Sequence, residues 1–135
     1  MVRRAWSGEH NEFRDYKLNR IRGIDGSRPS TIDPSLDFEW AHKIDLKITP
    51  NPQLSADQRA AVAADYDMIG DELILTCRLS TSFYLMSTYN LDVPEGPLDP
   101  KKQQLVLTNR AEVLNARETA RKLAKEALVR ASAHR

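Results

Sequence analysis

The residues of this chain that could do chemistry are three histidines, one cysteine and a scatter of arginines. His10, His42 and His134 stand far apart, in a turn, at a strand start and in the terminal stretch, and no His-x-x-x-His or Cys-x-x-Cys spacing is present. Protein zinc sites draw on such close spacings, so neither a metal nor a cofactor is expected. Cys77 falls on the apolar face of a predicted strand, where a thiol is inert packing rather than a nucleophile. The five glycines are scattered singly, so there is no Gly-rich phosphate loop, and Gly-x-Ser-x-Gly is absent. Asp65 and Asp67 flank a helix end, an ordinary place for solvated acids. No constellation points to an enzyme, and none is expected.

The arginines carry the remaining chemistry. If residues 2–18 form a hairpin, Arg4 and Arg14 lie on neighbouring strands. Two readings then stand side by side. The guanidiniums converge and fork onto phosphates, or they pair with Asp15 and Glu12 on a solvated face. Net charge is only +1, which excludes a protein basic throughout. The basic excess is local. Arg3, Arg4, Arg14, Lys17, Arg20 and Arg22 lie near the N-terminus, and Arg117, Arg121, Lys122, Lys125, Arg130 and Arg135 near the other end. Such ends suit an anionic partner modestly.

Length and composition bound the rest. The 135 residues hold one ordinary domain, or a small one with a fragment attached. A hydrophobic fraction of 41% supports a packed core, and 29% charged residues fit a soluble globular chain. No apolar run approaches the roughly 18 residues of a membrane span, and no apolar stretch follows Arg3-Arg4 as in a signal peptide. A lone cysteine allows no internal disulfide and fits the reducing cytoplasm.

Several elements must position these residues. Strands are expected at 2–6 and 12–18 around Ser7–Asn11, with Gly8 and Asn11 suited to positive φ. In the second strand the Tyr16/Leu18 side is the apolar one. Residues 23–34, rich in Gly, Ser, Pro and Asp, read as a linker. Lys43-Ile44-Asp45-Leu46-Lys47-Ile48 alternates strictly and makes a half-buried strand. Ser55 and Gln58 fit a capping box for a helix over 55–66 with Ala61, Val62 and Tyr66 inward. A strand over 72–79 places Leu73, Leu75, Cys77 and Leu79 on one face. Ser80, Thr81 or Ser82 can cap a helix over 83–91. This helix is apolar on most sides, so either a second subunit covers it or it is the centre of the core. After a Pro-rich loop come a short strand, 104–107, and a long helix over 110–131. Asn109 is its cap, and Val113, Ala116, Ala120, Leu123 and Ala127 form a thin apolar stripe.

Arg4-Ala5-Trp6, Phe13-Arg14-Asp15-Tyr16 and Leu18-x-Arg20-Ile21 resemble the last two strands of the WYL domain of bacterial transcription regulators. Ile44-x-Leu46-x-Ile48-x-Pro50, Pro52-x-Leu54-Ser55-x-x-Gln58, Asp65-Tyr66-x-Met68, Phe83-Tyr84-Leu85-Met86 and Leu91-Asp92 resemble the extension that follows that domain. The resemblance spans about residues 3–110. It implies an N-terminal winged helix-turn-helix in the intact protein, then an Sm-like WYL barrel that senses nucleic acid or a nucleotide-like ligand. The extension that follows helps form the dimer. The Trp-Tyr-Leu triplet itself is absent, and Val2 stands where relatives often have histidine.

The expectation is therefore an α+β fold, a small α/β sandwich of ferredoxin-like type. Residues 1–22 would be a β-barrel remnant, 23–40 a linker, 41–108 the α/β extension with its helices on one face, and 109–135 a C-terminal helix. The expected function is dimerisation with partial ligand sensing in a cytoplasmic bacterial regulator, the chain itself lacking the helix-turn-helix. It would be a truncated product or one half of a unit completed by another chain. Arg4, Arg14 and Arg20 would touch a nucleic-acid or nucleotide-like ligand. Phe83, Tyr84, Met86 and Tyr89 would line a homodimer interface. DNA would be bound by the missing N-terminal domain, and no membrane is involved. The alternative is a free-standing nucleic-acid-binding or protein-interaction adaptor.

Overall fold

The alternating stretch at Lys43–Ile48 does form the centre of a sheet, in a mixed α+β architecture. The computed structural model describes residues 2–133, so His134 lies outside the described residues. The chain divides into two units, one of Met1–Phe38 and Thr119–Arg135, the other of Glu39–Glu118.

In the first unit β1 (Val2–Ser7) and β2 (Glu12–Lys17) pair antiparallel, from Val2 opposite Lys17 to Ser7 opposite Glu12. Asn11 takes a positive φ of 51° at the turn, as a short polar side chain can; Gly8 does not take one. The expected apolar side was wrong. Tyr16 and Leu18 are exposed, and Leu18 has left the strand for a 3-10 turn, Leu18–Arg20. The better-covered face carries Trp6 opposite Phe13, their rings edge-to-face at 5.3 Å. β2 read alone cannot reveal this, because Trp6 comes from the other strand. Further on, a 3-10 turn at Pro34–Leu36 is capped by Asp33, which accepts from the Ser35 amide at 2.9 Å. That bond, with help from the Ser35 hydroxyl, holds the Asp33 carboxyl below its ordinary pKa.

A short helix, α1 (Phe38–Ala41), begins inside the stretch read as linker. The second unit is built on a three-stranded sheet ordered β4-β3-β5, with β3 (Lys43–Pro50) antiparallel to both β4 (Leu73–Arg78) and β5 (Leu105–Leu107). Between these strands run α2 (Ala56–Asp65) and α3 (Leu79–Thr88), and α4 (Arg110–Ala133) follows. Leu46 and Ile48 of β3 meet Leu54, Val62, Met86, Leu91, Leu105, Leu107 and Val113 in one core. Lys43, Asp45 and Lys47 point the other way and stay exposed, as a period of two requires.

The capping box is as expected: Ser55 Oγ accepts from the Gln58 amide, and Gln58 Oε1 accepts from the Ser55 amide. The inward residues of α2 are Val62 and Ala63, while Ala61 and Tyr66 are exposed. The helix stops before Tyr66 can turn inward, because Asp67 takes a positive φ of 51°. The Met68 amide then reaches back to the Ala63 carbonyl at 2.8 Å and Asp67 to Ala64 at 3.2 Å, a Schellman ending. α3 ends the same way: Asn90 at φ 55° lets Leu91 donate to Met86 at 2.7 Å, and Leu91 drops into the core.

One expected cap is corrected and another has a second task. α3 starts at Leu79, directly after β4, with Arg78 at the cap and no capping side chain. The Leu79 amide donates to the His42 carbonyl at 2.9 Å, which fixes the turn from strand to helix. Ser82 is left inside the helix, its hydroxyl donating back to the Leu79 carbonyl at 2.6 Å. Asn109 stands directly before α4 as expected, its carbonyl accepting from the Val113 amide at 3.1 Å and its side chain donating to Glu112 at 3.1 Å, but that side chain also serves β3. Its side chain accepts from the Lys47 amide at 3.0 Å and donates to the Asp45 carbonyl at 2.8 Å. It thereby prolongs the pairing that β5 begins. In the α4 stripe Val113 and Ala120 are buried, whereas Leu123 is exposed.

Candidate self-association surface

The helix α3 is apolar on most sides, so its orientation decides what it leaves outside. At about 100° per residue, Leu79, Ser82 and Met86 share one side, and all three are buried. Met86 is 1% exposed and belongs to the core of its own chain; it is not on the outer surface where it was expected. Phe83 (42% exposed) and Tyr84 (39%) stand on the flank and outer side, their rings edge-to-face. Tyr89, also exposed, follows the last helical residue.

Two arginines are laid on this part of the second unit. The Arg117 guanidinium stacks over the Phe83 ring at 4.4 Å and donates to the buried Glu39 carboxylate at 3.3 Å. Arg78 stacks over Trp40 at 4.5 Å and donates to the Trp40 carbonyl at 2.7 Å. Trp40 remains half exposed. Exposed Trp, Tyr and Phe braced by Arg is the composition of protein–protein hot spots. Trp40, Arg78 and Arg117 were missed in the sequence. Trp40 sits in the stretch read as linker, and Arg117 meets Glu39 from 78 positions away, a contact with no local signature.

Of the three arginines proposed for ligand contact, Arg4 and Arg14 do not share a face. Arg4 stands opposite Asp15 and Ala5 opposite Arg14. Adjacent positions on one strand face opposite sides, so Arg4 and Arg14 are on opposite faces of the hairpin. Arg4 donates to both oxygens of the buried Asp37, at 2.5 and 2.7 Å, and to Asp15 at 3.4 Å. This bidentate fork anchors the hairpin to the segment before α1. Arg14 is more exposed and pairs with Glu12 at 3.3 Å. Arg20 is exposed in the 3-10 turn.

Cys77 is partly buried against the core. Burial, with the nearby Asp45 charge, raises its thiol pKa, the opposite of nucleophile activation. Among the described residues no group of three His, Cys, Asp or Glu could hold a metal ion. No described helix is long and apolar enough to cross a membrane.

Comparison with known proteins places the surface in context. Residues 43–113 match the family model described as BrxR transcriptional regulator, C-terminal dimerization domain. The chain is similar to the DNA-binding transcriptional repressor CapW of Stenotrophomonas maltophilia, 31% identical over 113 residues. The CapW repressors of Escherichia coli and Pseudomonas aeruginosa are 32% identical over 110 residues and 31% over 115. Each match covers 82% of this chain and 37% of the relative, so the chain spans well under half the length of the curated relatives it matches.

Proposed function

The chain belongs to the family of the BrxR transcriptional regulator C-terminal dimerization domain, and from that membership we propose that it is the self-association region of a DNA-binding transcriptional repressor. The observation that carries this reading is a coincidence of boundaries. The family match, 43–113, falls inside the compact second unit, Glu39–Glu118, which displays Phe83 and Tyr84 on α3. Two copies meeting through that unit would hold two DNA-reading domains in fixed spacing, as two-fold operators require.

The same reading assigns residues 1–22 to the end of a WYL barrel and ligand sensing to the intact regulator. Of the three arginines, Arg20 is exposed and Arg14 is half-buried beside Glu12, whereas Arg4 is committed to Asp37 and Asp15. Arg4 is then a positioning residue for the hairpin, and Arg14 and Arg20 are the contacts to mutate first in ligand assays on the whole protein.

Sedimentation equilibrium tests the reading. A dimer that Tyr84→Asp dissociates without unfolding the chain supports it. A monomer at every concentration overturns it. A free-standing nucleic-acid adaptor would instead bind oligonucleotides with a steep salt dependence; this chain is expected to bind them weakly.

A further inference from the structure

Two charged side chains meet beside the outer rings of α3, and neither lies in the segment that the family model matches. Glu39 of α1 stands before residues 43–113 and Arg117 of α4 after them, yet both belong to the compact second unit. Glu39 is 4% exposed, and its carboxylate accepts from Arg117 Nε at 3.3 Å. The same guanidinium lies over the Phe83 ring, 4.4 Å from its centroid. Phe83 in turn meets Tyr84 edge-to-face, the centroids 6.5 Å apart. Arg117 keeps 24% of its side chain exposed. A guanidinium is planar and weakly hydrated, so with one face stacked the other can take a second ring. Arg78 repeats the arrangement over Trp40 at 4.5 Å. The patch therefore carries two stacked guanidiniums beside three exposed aromatic side chains, Trp40, Phe83 and Tyr84.

We propose that Arg117 is a contact residue of the self-association surface, and that Glu39 is the positioning residue that lets a cation stand there. This deepens the dimerisation reading above and rests on it. The occupant is a second copy, because the unit that displays the patch is the one matched by a dimerization-domain family. In a two-fold interface each copy presents the same patch, so the guanidiniums of one copy approach both the rings and the guanidiniums of the other. A ring attracts a cation; a like charge repels it. The Glu39 carboxylate cancels the Arg117 charge from the buried side and leaves the outer face of the guanidinium to stack. It also pins the long side chain in advance, so that little rotamer freedom is lost when the second copy arrives. Phe83, held by Arg117 and braced by Tyr84, enters the contact already placed. A pair of only surface value would have no reason to bury its carboxylate so far.

Sedimentation equilibrium of the full chain at two salt concentrations tests this. Glu39→Gln keeps the shape and an acceptor for Arg117 but leaves its charge uncancelled. At about 0.1 M salt, where charges are felt over about 10 Å, its dimer dissociation constant is expected to lie about tenfold above wild type. At about 1 M salt, where that length falls to about 3 Å, the gap should shrink to about twofold. A gap that persists unchanged at high salt marks lost packing and overturns the charge-cancelling role. Arg117→Lys tests the contact at an exposed position, and does so even if Glu39→Gln fails to fold. It keeps the charge and loses the planar stacking face, so the dissociation constant should rise about threefold to fivefold at both salt concentrations. A folded Arg117→Lys chain that dimerises as tightly as wild type overturns the contact and leaves the dimerisation reading standing. A wild-type chain that sediments as a monomer overturns both.

Discussion

The two flanks of β3 are finished differently. On one side lies β5, three residues long and wholly buried. Where β5 ends, the Thr108 amide and the Asn109 side chain carry on bonding to Lys47 and Asp45. On the other side lies β4, twice as long, half-covered on its helix side and exposed at Ile74. Short, buried edges that a side chain completes are closed to other chains; long apolar ones are open. The first flank is closed by this chain's own groups; on the second only the Glu72 end is, through Ile69, and Ile74 stays exposed.

The largest test of that contrast is Leu105→Ala. It empties a site inside the core and is expected to cost about 2–5 kcal/mol, read as a fall in the urea midpoint. Leu75→Ala on the half-covered flank should cost clearly less in the monomer. Equal losses would mean that the two flanks are packed alike. Tyr84→Asp on α3 comes next. An exposed substitution should leave monomer stability within about 0.5 kcal/mol, yet raise the dimer dissociation constant about tenfold, about 1.4 kcal/mol. Asn109→Ala should do the reverse. Losing its bonds to β3 costs about 1 kcal/mol of folding stability, with dimer affinity unchanged. A smaller gain is expected from Asn90→Gly. It would relieve about 0.5 kcal/mol of the roughly 1–2 kcal/mol that a side chain costs in left-handed backbone, and should raise the melting temperature slightly.

Cys77 supplies the finest probe. Its raised pKa keeps the thiol protonated in the fold, so iodoacetamide should label it slowly at neutral pH and faster as pH climbs through the raised value. The sign for stability follows. A raised folded-state pKa favours the neutral thiol, so its contribution is full below the ordinary thiol range and is lost as pH rises through the folded value.

Much of the second unit was legible because its signals are local. The alternation at Lys43–Ile48 and the Ser55/Gln58 box each lie within a few residues, and each forms as read. The failures share a cause. Ser80 and Ser82 look like caps, but a bond from Leu79 to His42, far away in the chain, decides where α3 starts. Asn109 stands at the start of α4 as read, but nothing local shows that its side chain also closes β3, 62 positions away. Arg4 was read against Arg14 and Asp15 nearby, while its strongest partner, Asp37, is 33 positions on. The surface around α3 was legible in part. Composition named Phe83 and Tyr84, but helix phase turned Met86 inward, and only the folded chain brings Arg117 onto Phe83.

Self-association of the second unit is tested most directly by sedimentation equilibrium of the wild-type chain beside Tyr84→Asp over a wide concentration range. The expected result is a wild-type mass of twice the 15.4 kDa chain, with the variant shifted toward monomer and still folded by circular dichroism. A wild-type chain that stays monomeric, or a folded variant that dimerises as tightly as the wild type, would contradict it.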